Sequence, residues 1–438
     1  MVILTPDEAK KIIDKVLSYS QADELSVELT GSRTGNIRFA RNTVSTSGET
    51  ENLSLSVTAI FGKKIGTATV NELDDASLEK TVRRAEEVAR LAPDNPEYLP
   101  LLGPQKYLES QGYLDTTARL EARQRARLAV ESIRPSREKK LSAAGYQEDS
   151  AGFQAIGNSR GLFGYYPSTS VNFSVTIRTD DGTGSGYAAA DYNDVAQLNT
   201  RAATEVAIQK ALASQNARAM EPGKYTVILE PMAAGELVQF MVRAMDARNA
   251  DEGRSFLSKK GGGTRLGEKL LDERVTIYSD PQDPDIPASP FSSDGLPQQK
   301  VVWFDKGVVK NVSCSRYWAA QKGLAPLPQP SGFRMDGGDA SLAELIKSTE
   351  RGILVTRFWY TRWLDPQTLL YTGLTRDGTF YIENGQIKYP VKNFRFNESP
   401  VIMLNNLEAI GKPVRTRGSM VPPLKIRDFT FSSLSDAV

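Results

Sequence analysis

The sequence predicts an α+β protein, antiparallel sheet with flanking helices, on three observations. The order helix, several strands, helix occurs twice before residue 215. The linker Ser214-Gln-Asn-Ala-Arg-Ala-Met-Glu-Pro-Gly-Lys224 marks a boundary, and beyond it β-branched residues, Gly and Pro become frequent. Just past that boundary the short apolar run Thr226-Val-Ile-Leu229 leads into a crowded apolar helix. At 438 residues the chain is long enough for two or three domains, each with its own core. The expected division is an N-terminal domain, 1–220, holding units at about 1–100 and 105–215, and a β-rich domain, 225–438.

Thr5-Pro-Asp-Glu8 opens the first helix with an N-cap hydroxyl, a Pro at the first position and a Glu at the third. Ile12, Ile13, Val16 and Leu17 give that helix its buried side. Strands are expected at 25–29, 36–40 and 53–60, the last turning at 61–66 into 67–70, before a helix at 75–91. The second unit reads as a helix at 116–132, strands near 140–148, 153–158, 161–166 and 170–179, and a helix at 194–213. Arg119, Arg123 and Arg127 recur every four residues beside Glu121 and Glu131, which marks a solvated face. Asp180-Asp-Gly-Thr-Gly-Ser-Gly186 lacks the Lys of a phosphate loop and the distal Glu of a calcium loop, so it reads as a hairpin turn. In the C-terminal domain a hairpin is expected at 301–312, a short helix at 315–321 and an irregular surface loop at 323–338. Strands are expected at 353–360, 379–382 and 386–389, with Glu383-Asn-Gly385 as a turn.

The balance of 54 basic against 53 acidic residues gives no field to attract nucleic acid or anionic lipid. No signal peptide and no membrane-spanning run is visible, and the single cysteine, Cys314, excludes an intrachain disulfide and reads as a structural thiol. A cytoplasmic protein is expected.

On the helix after Thr226-Val-Ile-Leu229, Glu236, Gln239, Arg243 and Asp246 form one narrow polar stripe, which could pair along the helix or build a site. The strand, the Glu-Pro-x-Ala-Ala helix start at Glu230 and the following Asp251-Glu-Gly-Arg-Ser-Phe-Leu resemble the TldD/PmbA family. TldD members of that family carry His-Glu-x-x-x-His on this helix, bind zinc and cleave peptides. Here the three positions hold Gln239, Phe240 and Ala244, and the whole chain contains no histidine. A catalytic zinc needs about three imidazole, thiolate or carboxylate ligands, an open position for water, and a base near that water. The expectation is therefore no zinc, no cofactor and no catalytic residue at these positions.

A second stretch of resemblance runs through Ser348-Thr-Glu-Arg-Gly-Ile-Leu-Val-Thr-Arg-Phe-Trp-Tyr360, Tyr371-Thr-Gly-Leu-Thr-Arg-Asp-Gly-Thr-Phe-Tyr-Ile-Glu-Asn-Gly385 and Pro390-Val-Lys-Asn-Phe-Arg-Phe-Asn-Glu-Ser399. It is similar to the PmbA (TldE) branch, which lacks the zinc motif. Pro413-Val-Arg-Thr-Arg-Gly-Ser-Met-Val-Pro422 lacks the cysteine that completes the TldD metal site. The resemblance implies a barrel-like C-terminal region, a dimer with itself or with a zinc-bearing TldD-like subunit, and a non-catalytic role in a cytosolic peptidase for unfolded peptides. Candidate peptide- or partner-binding residues are Arg243, Arg357, Tyr360, Arg376, Asp377, Arg395 and Glu398, which either pair across strands or line a groove. Two alternatives stay open: a stand-alone homodimeric peptide binder, and a hydrolase using carboxylates such as Asp246, Asp251 and Glu252. The family's older label, modulator of DNA gyrase, does not follow from these residues, and no direct contact with nucleic acid or membrane is expected.

Overall fold

The computed structural model describes residues 3–435. Helix α1 (Pro6–Ser18) starts at the expected capping box, with Thr5 Oγ1 accepting from Glu8 N and the Glu8 carboxylate accepting from Thr5 N. The first unit continues with β1 (Glu24–Ala40), β2 (Thr43–Phe61), β3 (Lys64–Val70) and α2 (Asp75–Leu91). The second has α3 (Asp115–Ala118), α4 (Ala122–Glu138), β4 (Ser142–Asn158), β5 (Phe163–Arg178), β6 (Ser185–Tyr192) and α5 (Thr200–Ala213). The two units share one antiparallel sheet in the order β3-β2-β1-β4-β5-β6. Their innermost strands, β1 and β4, meet in register from Ser26 opposite Asn158 to Phe39 opposite Gly145. Each unit thus runs outward from the centre in the same order, and the sheet has an approximate two-fold repeat.

The same packing device closes both outer edges. A Cβ on Gly66 of β3 would stand 2.2 Å from Ala89 N of α2, and one on Gly186 of β6 would stand 2.1 Å from Ala207 O of α5. Only glycine admits helix backbone that close to a strand. Helices cover one face, burying Leu25, Val27, Leu29, Ile37 and Phe39 of β1. Strand side chains alternate, so Ser26, Glu28, Thr30, Ser32 and Thr34 point to the other face, which is polar.

Six of the expected strands merge in pairs into three longer ones: 25–29 with 36–40 in β1, 140–148 with 153–158 in β4, and 161–166 with 170–179 in β5. The expected strands at 25–29 and 36–40 are one continuous β1, because its core-facing positions between them are Gly31, Arg33 and Gly35 and carry no apolar signal. Gly35 leaves room for the Arg125 guanidinium, whose Cζ lies 2.0 Å from where a Cβ would sit. Arg125 is buried and binds Asp149 at 2.7 Å and Glu49 at 2.9 Å, joining α4 to β4 and β2. Strand β6, Ser-Gly-Tyr-Ala-Ala-Ala-Asp-Tyr, has no strand-like pattern of its own and is the second arm of the hairpin expected at 180–186, pairing with β5.

The C-terminal domain contains β7 (Gly223–Leu229), α6 (Pro231–Arg243), α7 (Ala247–Asp251), β8 (Ile277–Ser279), β9 (Val301–Asp305), β10 (Val308–Val309), α8 (Arg316–Lys322), β11 (Arg334–Met335) and α9 (Leu342–Lys347). It ends with β12 (Arg351–Asp365), β13 (Leu370–Glu383), β14 (Gln386–Pro390), β15 (Phe394–Glu398), α10 (Pro400–Asn405), β16 (Leu407–Ile410), β17 (Val414–Thr416), β18 (Ser419–Val421) and β19 (Leu424–Leu434). Strands β12-β7-β19-β15-β13 close into a barrel, since β13 pairs back onto β12. Helix α6 is buried against it through Leu237, Val238, Met241 and Val242, in one core with Phe358, Phe396 and Phe429. The segment expected as a surface loop, 323–338, is anchored instead: Leu327 bridges to Cys314, and Phe333 and Met335 are buried. Arg334 in that segment binds Asp283 at 2.7 Å and Asp285 at 2.6 Å. Among the described residues no helix is long and apolar enough to cross a membrane.

Candidate functional site

The start of α6, the β17–β18 hairpin and the polar face of the sheet at β5 and β6 converge on one cleft, lined by Tyr146, Asn172, Tyr187, Asp191, Met232 and Arg417. Pro231 sets the first turn of α6, where its missing N–H removes no helical bond. Gly235 lets the hairpin settle on the helix, since a Cβ there would meet Thr416 Cγ2 at 3.1 Å. The hairpin turns through Arg417 and Gly418, with φ of 50° and 71°. Asp191 of β6 holds that turn, accepting from Arg417 N at 2.7 Å, Gly418 N at 2.9 Å and Arg415 Nε at 3.0 Å. Arg417 Nη1 donates in turn to Glu236 Oε2 at 3.1 Å.

Glu236 therefore does not pair along its own helix. Its partner comes from the hairpin, Asp246 caps α7 by accepting from Asn249 N at 2.8 Å, and Arg243 is exposed at the end of α6. Sequence periodicity placed these residues on one stripe; long-range partners then divided them.

The positions that bind zinc in the resembled family lie further along α6 and do not fit a metal. Phe240 stacks on Tyr371 of β13 with ring centroids 4.7 Å apart and planes 12° from parallel, Ala244 is the helix C-cap, and Gln239 is a half-buried amide. None is a ligand of the required kind and none can act as base. The carboxylates after the helix are engaged elsewhere. Asp251 accepts from Trp318 Nε1 at 2.8 Å, and Glu252 pairs with Arg248 and Arg254. No group of three His, Cys, Asp or Glu side chains suited to a metal occurs among the described residues. Cys314 is buried, and that burial pushes its thiol pKa up.

A second polar cluster fixes β6 to the barrel. Asp377, buried and at a φ of 54°, forms an ion pair with Arg357 and accepts from Ser185 Oγ at 2.5 Å. The Arg357 guanidinium lies 3.9 Å from the Tyr187 ring centroid, and Arg376 lies 4.0 Å from that of Trp359. Burial and the like charges of Arg357 and Arg178 hold the Arg376 pKa below its ordinary value despite Asp377. Of the sequence-predicted site residues, Arg357, Arg376 and Asp377 come together here, and Tyr360 is adjacent through its contact with Trp359. Arg395 and Glu398 sit on β15, across β13 from Arg357. Arg395 is exposed; Glu398 is buried and accepts from Ser399 N at 2.9 Å and Thr430 N at 3.1 Å, with burial pushing its pKa up. Sequence reading missed Asp191, Arg415, Arg417 and Ser185, whose partners are all distant in the chain.

These features define a two-part α+β chain: a duplicated six-stranded sheet clamped to a closed barrel, with a buried helix at the junction. Family models for PmbA/TldA metallopeptidase domain 1, the central domain and the C-terminal domain match residues 26–89, 109–215 and 222–433. The chain belongs to the TldD/PmbA family. It is 22% identical over 413 residues to "Metalloprotease PmbA" of Escherichia coli O157:H7, covering 86% of this chain and 88% of that one. Among solved structures, TldE from Thermococcus kodakarensis superposes with a TM-score of 0.87 at 19% identity, covering 97% of this chain and 99% of the other. A protein from Bacteroides thetaiotaomicron described as a modulator of DNA gyrase gives 0.86 at 23%, covering 98% and 99%.

Proposed function

We propose that this chain is a non-catalytic, TldE/PmbA-like subunit of a zinc peptidase acting on unfolded peptides, with a zinc-bearing TldD-like chain as its partner. The observation that carries the reading is the occupancy of α6: Gln239, Phe240 and Ala244 stand where ligands and base would be, and Phe240 is stacked on Tyr371. The hairpin beside the helix offers Thr416, Arg417 and Ser419 in place of a thiolate. The junction is built as an ion-paired support, Arg415–Asp191 and Arg417–Glu236, which suits a subunit that shapes a chamber.

The polar sheet face supports a second reading, a homodimer that holds peptides without cutting them. Rows of short side chains such as Asn52, Ser32, Gly152 and Ser168 cross it, leaving hydroxyls and amides within reach of an extended chain.

Elemental analysis of the purified chain after equilibration with zinc tests the main reading. The expected result is far less than one zinc per chain and a melting temperature unchanged by chelator. Stoichiometric zinc with stability lost on chelation would overturn it.

A further inference from the structure

The basic residues on and beside α4 and α5 fall into two sets. Arg125 binds Asp149, Arg137 donates to Asn42 O at 2.8 Å, Lys139 at the α4 C-cap binds Glu205 at 2.8 Å, and Lys210 binds Glu230 at 2.6 Å. Arg119, just before α4, pairs with Asp115 at 2.9 Å. The other four, Arg123, Arg127, Arg134 and Arg201, are exposed, and among the described residues none of them has a hydrogen bond or an ion pair. All four line one groove of about 410 Å³ on the helical side of the sheet, away from the cleft beside α6. Arg123, Arg127, Val130 and Arg134 recur at helical spacing and share one face of α4, a stripe about 16 Å long. Thr200 Oγ1 donates to Leu128 O at 2.9 Å, and the Ser132 and Thr204 hydroxyls meet at 2.7 Å. These bonds seat the first turns of α5 against α4 and bring Arg201 to the stripe. Ala126, Val130 and Pro135 supply the apolar part of the groove, and Val130 is 44% exposed.

We infer that this groove docks an acidic, partly apolar segment of a different protein, with carboxylates on the arginines and an aliphatic side chain over Val130. The chain as a whole is balanced at +1, so four guanidiniums without a counter-charge are a local excess. Like charges held together repel, and a carboxylate that takes a guanidinium's forked donors relieves the repulsion. Three features choose a peptide over other anions. The stripe is longer than any small inorganic anion, so one such ion could not reach all of the arginines. The floor is aliphatic, and among the described residues no aromatic ring lines the groove for a nucleic-acid base to stack on. Glu131 stands among the arginines, where a uniform polyanion would be repelled but a peptide can place a hydrogen-bond donor. The inference goes beyond the proposed function, because it uses neither the cleft nor the residues at the zinc positions.

The test is fluorescence anisotropy of the full chain with a labelled synthetic peptide of about a dozen residues, carrying Glu at helical spacing around a central Leu. The expected result is saturable binding that weakens as salt is raised, and none by the same peptide with Gln in place of Glu. Arg127→Gln with Arg134→Gln should raise the dissociation constant about 10-fold or more. Val130→Ser should weaken binding severalfold in the same direction. Arg119→Gln, outside the groove, should change nothing. All of these positions are exposed, and far-UV circular dichroism checks that each variant is folded. Binding no tighter than that of the Gln peptide overturns the inference, as does binding that the paired arginine changes leave intact. Inorganic tripolyphosphate or a DNA duplex that binds more tightly than the peptide, and is lost in the same variant, also overturns it by giving the groove to phosphate. Zinc binding by the chain would sink the proposed function and leave this inference standing.

Discussion

The two halves of the N-terminal sheet share an order of elements and one packing device, yet meet different surroundings. In both, an outer-strand glycine slides beneath a helix at paired alanines, Ala85 and Ala89 in the first half and Ala207 and Ala211 in the second. The second half is then clamped to the C-terminal domain: Ser185 to Asp377 and Tyr187 to Arg357 on the barrel, Asp191 to the 415–418 turn. The first half is left open. Strand β3 pairs with β2 only over 55–61, and residues 43–52 of β2 are exposed throughout. A duplicated scaffold has thus been divided between a docking half and a free half. What differs at the edge strand is three polar side chains, Ser185, Tyr187 and Asp191.

Asp377→Ala attacks the clamp at its most buried point and carries the largest expected effect. It leaves Arg357 without its carboxylate in a nearly closed site, which should cost about 3–5 kcal/mol in denaturant unfolding. A change within about 1 kcal/mol would mean that the clamp does not hold the halves apart in stability. Next come the matched substitutions Gly66→Ala and Gly186→Ala, each driving a Cβ into helix backbone. Both should destabilise by about 1–3 kcal/mol or more, and by similar amounts, because the device is the same. A severalfold difference between them would break the comparison.

Asp191→Asn keeps size but removes the charge facing Arg415 and Arg417. A loss of about 1–3 kcal/mol is expected, with proteolysis at 214–224 accelerated before global unfolding. Glu398→Gln serves as a control within the barrel. Burial raises its folded pKa above the ordinary 4.5, so its contribution to stability is full below the unfolded pKa and is lost as pH rises through the folded one. Parent and variant should therefore differ by an amount that changes as pH rises above the ordinary 4.5 and levels off on acidification below it, as measured by pH-dependent melting. Smallest of all, Thr50→Lys on the open strand should stay within about 0.5 kcal/mol.

Legibility in the sequence followed the same division. The strand and helix flanking Pro231 were readable, since an apolar run, a helix-starting proline and a polar stripe agree locally. The length of β1 was not, because its core positions at the centre are Gly31, Arg33 and Gly35, chosen to admit Arg125 rather than to pack apolar surface. Arg119, Arg123 and Arg127 stood out by their spacing and are exposed; Arg125, between them, carries the structure. At the site, Gln239, Phe240 and Ala244 at the family's zinc positions could be read from one helix. The Asp191–Arg417–Glu236 chain could not, since its members are separated by up to 226 residues and meet only in the fold.

The central claim is that catalysis, where this chain takes part in it, belongs to another polypeptide. Its most direct test is peptide hydrolysis by the purified chain alone, by a family member carrying His-Glu-x-x-x-His alone, and by the two together, each with and without chelator. The account predicts no cleavage by this chain, a stable complex of the two, and chelator-sensitive cleavage that requires the complex. Chelator-sensitive cleavage by this chain alone would contradict it.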